Sequence, residues 1–415
     1  MALPTLRTAA CCLLLLAHAI GLAAQSGPVK AFTGLTLIDG TERPAIENAT
    51  IVVRDGRIVA AGPASSVTIP AAAERIALDG RYVIPGLINA HGHINDVARD
   101  LRVYAAYGVT TVFSLGGEQP AAFAARDAQA SASLDRTRVF VAGPVLAPRT
   151  PEEARAQVAR LAEQKVDIVK IRVDDNLGTA QKMAPGVYRA VIDEAHRLGL
   201  RVAAHLFYLA DAKALLDAGV DFLAHSVRDE PVDEDLMTRM KASGVCISPT
   251  LMREVSTFIY ESTPAFFADP FFLAHADPEW VATLKEPARQ EAMRTSASAQ
   301  RYKAALDVAS RNVKLLSDAG IPVAMGTDTG PMGRFQGYFE LMELERMVRA
   351  GLTPRQSIAA ATRDAARCME VDRDLGTIEA GKWADFIALD ADPLVDIANV
   401  RRIASVWIAG NRVPR

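Results

Sequence analysis

Short apolar runs alternate along most of this chain with longer stretches whose apolar positions recur every three to four residues. The runs at 82–90, 109–115, 139–142, 167–172, 201–205, 222–225, 245–250 and 322–327 read as β-strands. The stretches at 185–198, 210–218, 300–319, 339–350 and 354–366 read as helices, with Val187, Val191, Ile192, Ala195 and Leu198 on one face of the first. Eight strands alternating with helices predict a parallel (β/α)8 barrel, a TIM barrel of α/β class, over residues 81–372. Such a barrel carries its chemistry where its strands end.

The two ends of the chain follow a different rhythm. Residues 25–80 and 373–415 hold short β-type segments such as Thr50-Ile51-Val52-Val53 and Val406-Trp407-Ile408, with Asp55-Gly56 as a hairpin turn. Neither stretch can bury a core alone, so together they predict one small composite β-sandwich domain. Residues 252–291 form too long a connection for an ordinary βα unit and are rich in aromatics, including Phe258, Tyr260, Phe266, Phe267, Phe271, Phe272 and Trp280. A lid over the site and a subunit contact both suit such a segment.

Arg7, the apolar stretch 9–20 and the small residues 21–24 follow the order of a secretory signal peptide, assigned to residues 1–24. An exported enzyme, periplasmic or secreted, is expected, with no stable membrane association after cleavage; an uncleaved anchor is the alternative. Cleavage leaves Cys246 and Cys368, which are expected as separate, buried, small apolar residues rather than a disulfide framework. A net charge of −3 with no basic stripe argues against nucleic acid as a partner.

Six polar residues fall at or just beyond the ends of the apolar runs: His91, His93, Lys170, His205, His225 and Asp328. Side chains alternate along an extended chain, so His91 and His93 point the same way and can grip one ion together. A lone histidine is as often a satisfied core residue; six such residues at strand ends point to a metal centre. Lys170 sits in Val166-Asp167-Ile168-Val169-Lys170-Ile171, where an ammonium is costly to bury. It either snorkels to the rim or reacts with carbon dioxide to form a carbamate, an anionic two-oxygen ligand for two ions. Imidazole and carboxylate-type donors suit zinc, with manganese, iron or cobalt as alternatives.

Several stretches carry a family resemblance: Pro85-Gly86-Leu87-Ile88-Asn89-Ala90-His91-Gly92-His93, Tyr107-Gly108-Val109-Thr110-Thr111-Val112, Gly326-Thr327-Asp328-Thr329-Gly330, Ala350-Gly351-Leu352-Thr353-Pro354 and the run from Gly376 to Asp385. The chain resembles the amidohydrolase superfamily, on the branch of imidazolonepropionase-like and Xaa-Pro dipeptidase (prolidase-like) enzymes. Exported amidohydrolases that split ochratoxin A are similar in domain plan and size. The resemblance implies two divalent metal ions, with His91, His93 and Asp328 on the more buried one and His205 and His225 on the other. Carboxylated Lys170 would bridge them. Imidazolonepropionases use one metal and no bridging lysine, so Lys170 argues against that activity.

The expected reaction is hydrolysis of an amide bond in an N-acyl amino acid or dipeptide-type small molecule, ochratoxin A being one specific case. Asp328 is the expected proton shuttle and Tyr208 the expected oxyanion donor. Arg228, Arg253 and Arg334 follow the sixth, seventh and eighth runs and are expected at the rim as substrate-binding groups for a carboxylate. Lactonase or phosphotriesterase-like hydrolysis is a second reading, and a non-catalytic metal-binding exported protein a third. The superfamily resemblance also implies a homo-oligomer.

Overall fold

The computed structural model of the protein describes residues 27–414, so the expected signal segment lies outside the described residues. Strands from both ends of the chain share one eight-stranded sheet. Its order runs Asn411–Arg412, Ile403–Ile408, Phe386–Leu389, Tyr82–Pro85, Lys30–Leu37, Ile46–Arg54, Arg57–Pro63, with Glu74–Ala77 also paired to Lys30–Leu37. Alternating apolar positions on these strands bury Phe32, Leu35, Ile51, Phe386 and Trp407 in one cluster, which accounts for the pairing of two stretches too short to fold alone.

The second layer is parallel. Its strands are Leu87–Gly92, Val109–Ser114, Arg138–Val141, Val169–Arg172, Val202–His205, Phe222–Leu223 and Cys246–Ile247. The eighth segment, expected as a strand at 322–327, makes single bridges instead: Val323 to Ile247 on one side and Thr329 to Gly92 on the other. Those bridges, with Leu146 to Ile171 between the third and fourth strands, close the ring.

The run expected as one strand at 82–90 divides. Tyr82–Pro85 joins the terminal sheet and Leu87–Gly92 opens the barrel. Pro85 cannot donate to a ladder, and a Cβ on Gly86 would lie 2.1 Å from Thr110 Oγ1, so only glycine lets the chain cross between layers here. Arg138 Nε and Nη2 meet Asp385 at 2.7 and 3.2 Å, both groups buried, and tie barrel to terminal sheet.

The expectation for the cysteines is corrected. Cys246 and Cys368 form a disulfide with their Cα atoms 5.8 Å apart. Cys246 opens the seventh barrel strand and Cys368 ends the helix Arg363–Cys368, which packs beneath that end of the barrel. Their separation of 122 residues conceals a contact that the closed ring creates.

The 252–291 segment is folded rather than open. Short helices at Leu251–Ser256, Pro270–Leu273, Pro278–Leu284 and Pro287–Thr295 lay its aromatics against the barrel. Phe272 is fully buried and meets Phe335 and Tyr338 at ring distances of 4.8 and 5.0 Å. Among the described residues, no helix is long and apolar enough to cross a membrane.

Candidate metal centre

The first barrel strand delivers His91 and His93, the fourth Lys170, the fifth His205, and the ends of the sixth and eighth segments His225 and Asp328. These six residues come together. Ligating atoms of His91, His225 and Asp328 lie within 4.8 Å of one another. His93 Nε2 is 2.8 Å from Asp328 Oδ1, and Lys170 Nζ is 3.3 Å from His91 Nε2. The rings of His205 and His225 are 4.1 Å apart. Gly326 and Gly330 admit this crowding: a Cβ on either would approach the Cβ of His91 or His93 to 2.8 Å.

Every histidine has one ring nitrogen fixed from outside the cluster. His91 Nδ1 is 2.6 Å from the Ala224 carbonyl, His93 Nδ1 3.1 Å from that of Gly116, and His225 Nδ1 2.7 Å from Thr250 Oγ1. His205 is held at the other nitrogen, Nε2, 2.9 Å from Asp174 Oδ2. That leaves Nε2 of three rings and Nδ1 of His205 for a metal, with tautomer and orientation set beforehand.

The electrostatics favour ligands over charges. Burial, with Lys170 close by, holds His91 well below its ordinary value, and burial likewise lowers His225. Burial brings His205 to about 3 despite Asp174. These imidazoles are neutral and available as donors. Burial also brings the Lys170 amine down to about 7, against the pull of Asp328. For Asp328 burial acts upwards, but Arg334 and the two histidines outweigh it and keep the carboxylate well below its ordinary range. The donor set therefore fits divalent metal: imidazole nitrogens, one carboxylate, and an amine that is half neutral near pH 7.

The residues expected around substrate are placed less uniformly. Arg334 Nη1 pairs with Asp328 Oδ2 at 2.5 Å and keeps some exposure. Arg253 is buried, with Nη2 3.3 Å from the Tyr302 hydroxyl and Nε 4.0 Å from Asp328 Oδ2. Arg228 is fully buried, 3.2 Å from Glu254 Oε1, so it sits beneath the rim rather than on it; its Nε and Nη2 have no hydrogen-bond partner. The Tyr208 hydroxyl donates to Asp175 Oδ1 at 2.8 Å, and burial with that carboxylate raises it to about 12. Asp174, Thr250 and Glu254 escaped the sequence reading. Asp174, four residues past Lys170, was the one signal in it: a carboxylate at a strand end beside an expected ligand.

Fold and site together are those of a barrel hydrolase that acts on carbon–nitrogen bonds. The chain belongs to the amidohydrolase family, whose model its residues 82–413 match. It is 26% identical over 418 residues to the imidazolonepropionase of Nocardia farcinica, covering 92% of this chain and 98% of that one. Ochratoxinase of Aspergillus niger is 28% identical over 282 residues, 65% of this chain and 51% of the relative. A candidate prolidase from Bifidobacterium longum superposes with a TM-score of 0.78 at 27% identity, over 94% of this chain and 95% of that one.

Proposed function

We propose that this enzyme is a binuclear metal-dependent amidohydrolase that cuts the amide bond of an N-acyl amino acid or dipeptide-type substrate, ochratoxin A among the compounds to be tried. The observation that carries the reading is the set of four histidines each fixed through its outer ring nitrogen around the Lys170 amine. Neutral Lys170 would add to the carbon of CO2 and lose a proton, giving a carbamate whose anionic oxygens would join the imidazoles as metal ligands. His91, His93, His205, His225, Asp328 and modified Lys170 would hold the ions, zinc by preference for this donor set, which when bound would acidify a water and polarise a carbonyl.

The chain's own residues do the rest. Asp328 takes a proton from the attacking water and hands it to the leaving nitrogen. Tyr208, kept protonated, turns from Asp175 to donate to the oxyanion. Arg334, the most exposed of the three arginines, meets a substrate carboxylate, with Arg253 and Arg228 adding positive field from below. An apolar or aromatic group on the substrate is part of the reading, suggested by the aromatic residues of the 252–291 segment. The terminal strands are read as a small sandwich, and the Cys246–Cys368 disulfide supports export to an oxidising compartment.

Purified zinc-loaded protein assayed against N-acyl amino acids, dipeptides, ochratoxin A, imidazolonepropionate, lactones and phosphotriesters tests the reading. Amide cleavage with release of the C-terminal amino acid is expected. Turnover confined to lactones or phosphotriesters contradicts it.

A further inference from the structure

Helix Tyr338–Arg349 buries two carboxylates one turn apart, Glu340 and Glu343, where an amphipathic helix ordinarily presents apolar side chains. Glu340 Oε1 accepts from Asn89 Nδ2 at 2.6 Å, Thr327 Oγ1 at 2.7 Å and Thr329 Oγ1 at 2.6 Å. Thr327 and Thr329 bracket Asp328. Asn89 stands two residues before His91 and accepts the His91 amide at 2.9 Å. One carboxylate oxygen thus gathers the backbone on both sides of the His91–Asp328 pair.

Glu343 does the same one turn on. Its two oxygens accept from the backbone N–H groups of Leu251 at 2.8 Å and Met252 at 2.6 Å. Those residues follow Thr250, whose hydroxyl fixes His225 Nδ1. Asp328 has φ +57° and Thr250 φ +48°, left-handed conformations that a residue with a side chain keeps only where its surroundings enforce it. Each of these two positions is backed by one of the two glutamates.

We propose that Glu340 and Glu343 are positioning residues that clamp opposite sides of the metal centre from a single helix, Glu340 setting His91 and Asp328 and Glu343 setting His225 through Thr250. The proposal rests on reading the site as a metal centre. It carries an asymmetry. Glu340 uses one oxygen for all three donors, and its Oε2 has no hydrogen-bond partner, so a glutamine can replace it. Glu343 uses both oxygens, so a glutamine there sets an NH2 against a backbone N–H.

The test is the zinc dissociation constant of wild type, Glu340→Gln, Glu340→Leu and Glu343→Gln, measured by competition with a chromophoric chelator, alongside the Tm of each metal-free protein. Glu340→Gln should bind zinc nearly as wild type does, while Glu340→Leu and Glu343→Gln should bind at least about tenfold more weakly, the scale for losing a residue that orients a ligand. The two near-isosteric glutamine variants decide the matter even if the leucine variant does not fold. A Glu343→Gln protein that loses Tm yet binds zinc as tightly as wild type overturns the proposal, and so does a Glu340→Gln protein as weak as Glu343→Gln. Wild-type protein that takes up no zinc overturns the metal-centre reading itself.

Discussion

The amine of Lys170 lies 3.3 Å from Nε2 of His91, although the two residues come from the fourth and first strands of the barrel. With the His91 Nδ1 proton given to the Ala224 carbonyl, Nε2 carries a lone pair that the unmodified amine can meet as a donor and that modification of the amine would free for a metal. Lys170→Ala should therefore fold, yet lose about 10³-fold in kcat, the order for removing one preorganised electrostatic group. Added acetate or propionate should restore part of the rate, because a small carboxylate offers two oxygens to the space left behind. Steady-state kinetics with and without the acid check this.

Formation of the proposed carbamate has a pH sign. Lys170 falls from its ordinary value to about 7 through burial, and only the neutral amine attacks CO2. The neutral fraction rises roughly tenfold between pH 6 and 8. Metal-free protein given zinc at one fixed concentration of dissolved CO2 should regain activity faster at pH 8 than at pH 6 by a similar factor. Between about 7 and the ordinary lysine value the unfolded chain holds a proton that the folded chain lacks, so stability of the metal-free, unmodified form should rise with pH across that window. Denaturant melts of the metal-free protein kept free of CO2 read this directly.

Asp174 and Thr250 each fix one histidine through the nitrogen that faces away from the cluster. Asp174→Ala and Thr250→Val should weaken zinc binding by about 10–100-fold, with activity at saturating zinc falling less for the conservative Asp174→Asn, whose oxygen can still accept from His205. Chelator competition separates this from a loss of folded protein.

The Cys246–Cys368 disulfide closes a loop of 122 residues across the underside of the barrel. Its removal by paired alanine substitution should destabilise the chain by about 2–4 kcal/mol while leaving kcat unchanged, since the bond lies at the opposite end of the strands from the centre. Thermal melts in the presence and absence of reductant give the comparison.

The gathering of these residues was legible because its logic is local: His91 and His93 follow from the period of two, and Asp328 from an apolar run that ends on an acid. So was the alternation of strands and helices, although Pro85-Gly86 hid a crossing between two sheets. What the sequence concealed depends on closure of the ring. Cys246 and Cys368 meet only beneath the finished barrel. Glu340 and Glu343 look like the polar positions of an ordinary amphipathic helix until the strand ends arrive above them. Arg228 looks like a rim arginine because nothing local announces Glu254, which holds it inside.

The account turns on two ions joined through Lys170, and the number of metal ions per chain measures that most directly. Protein loaded with zinc in the presence of bicarbonate should hold two ions per chain, and Lys170→Ala no more than one, by elemental analysis of gel-filtered samples. One ion per chain in wild type, unchanged in Lys170→Ala, contradicts it.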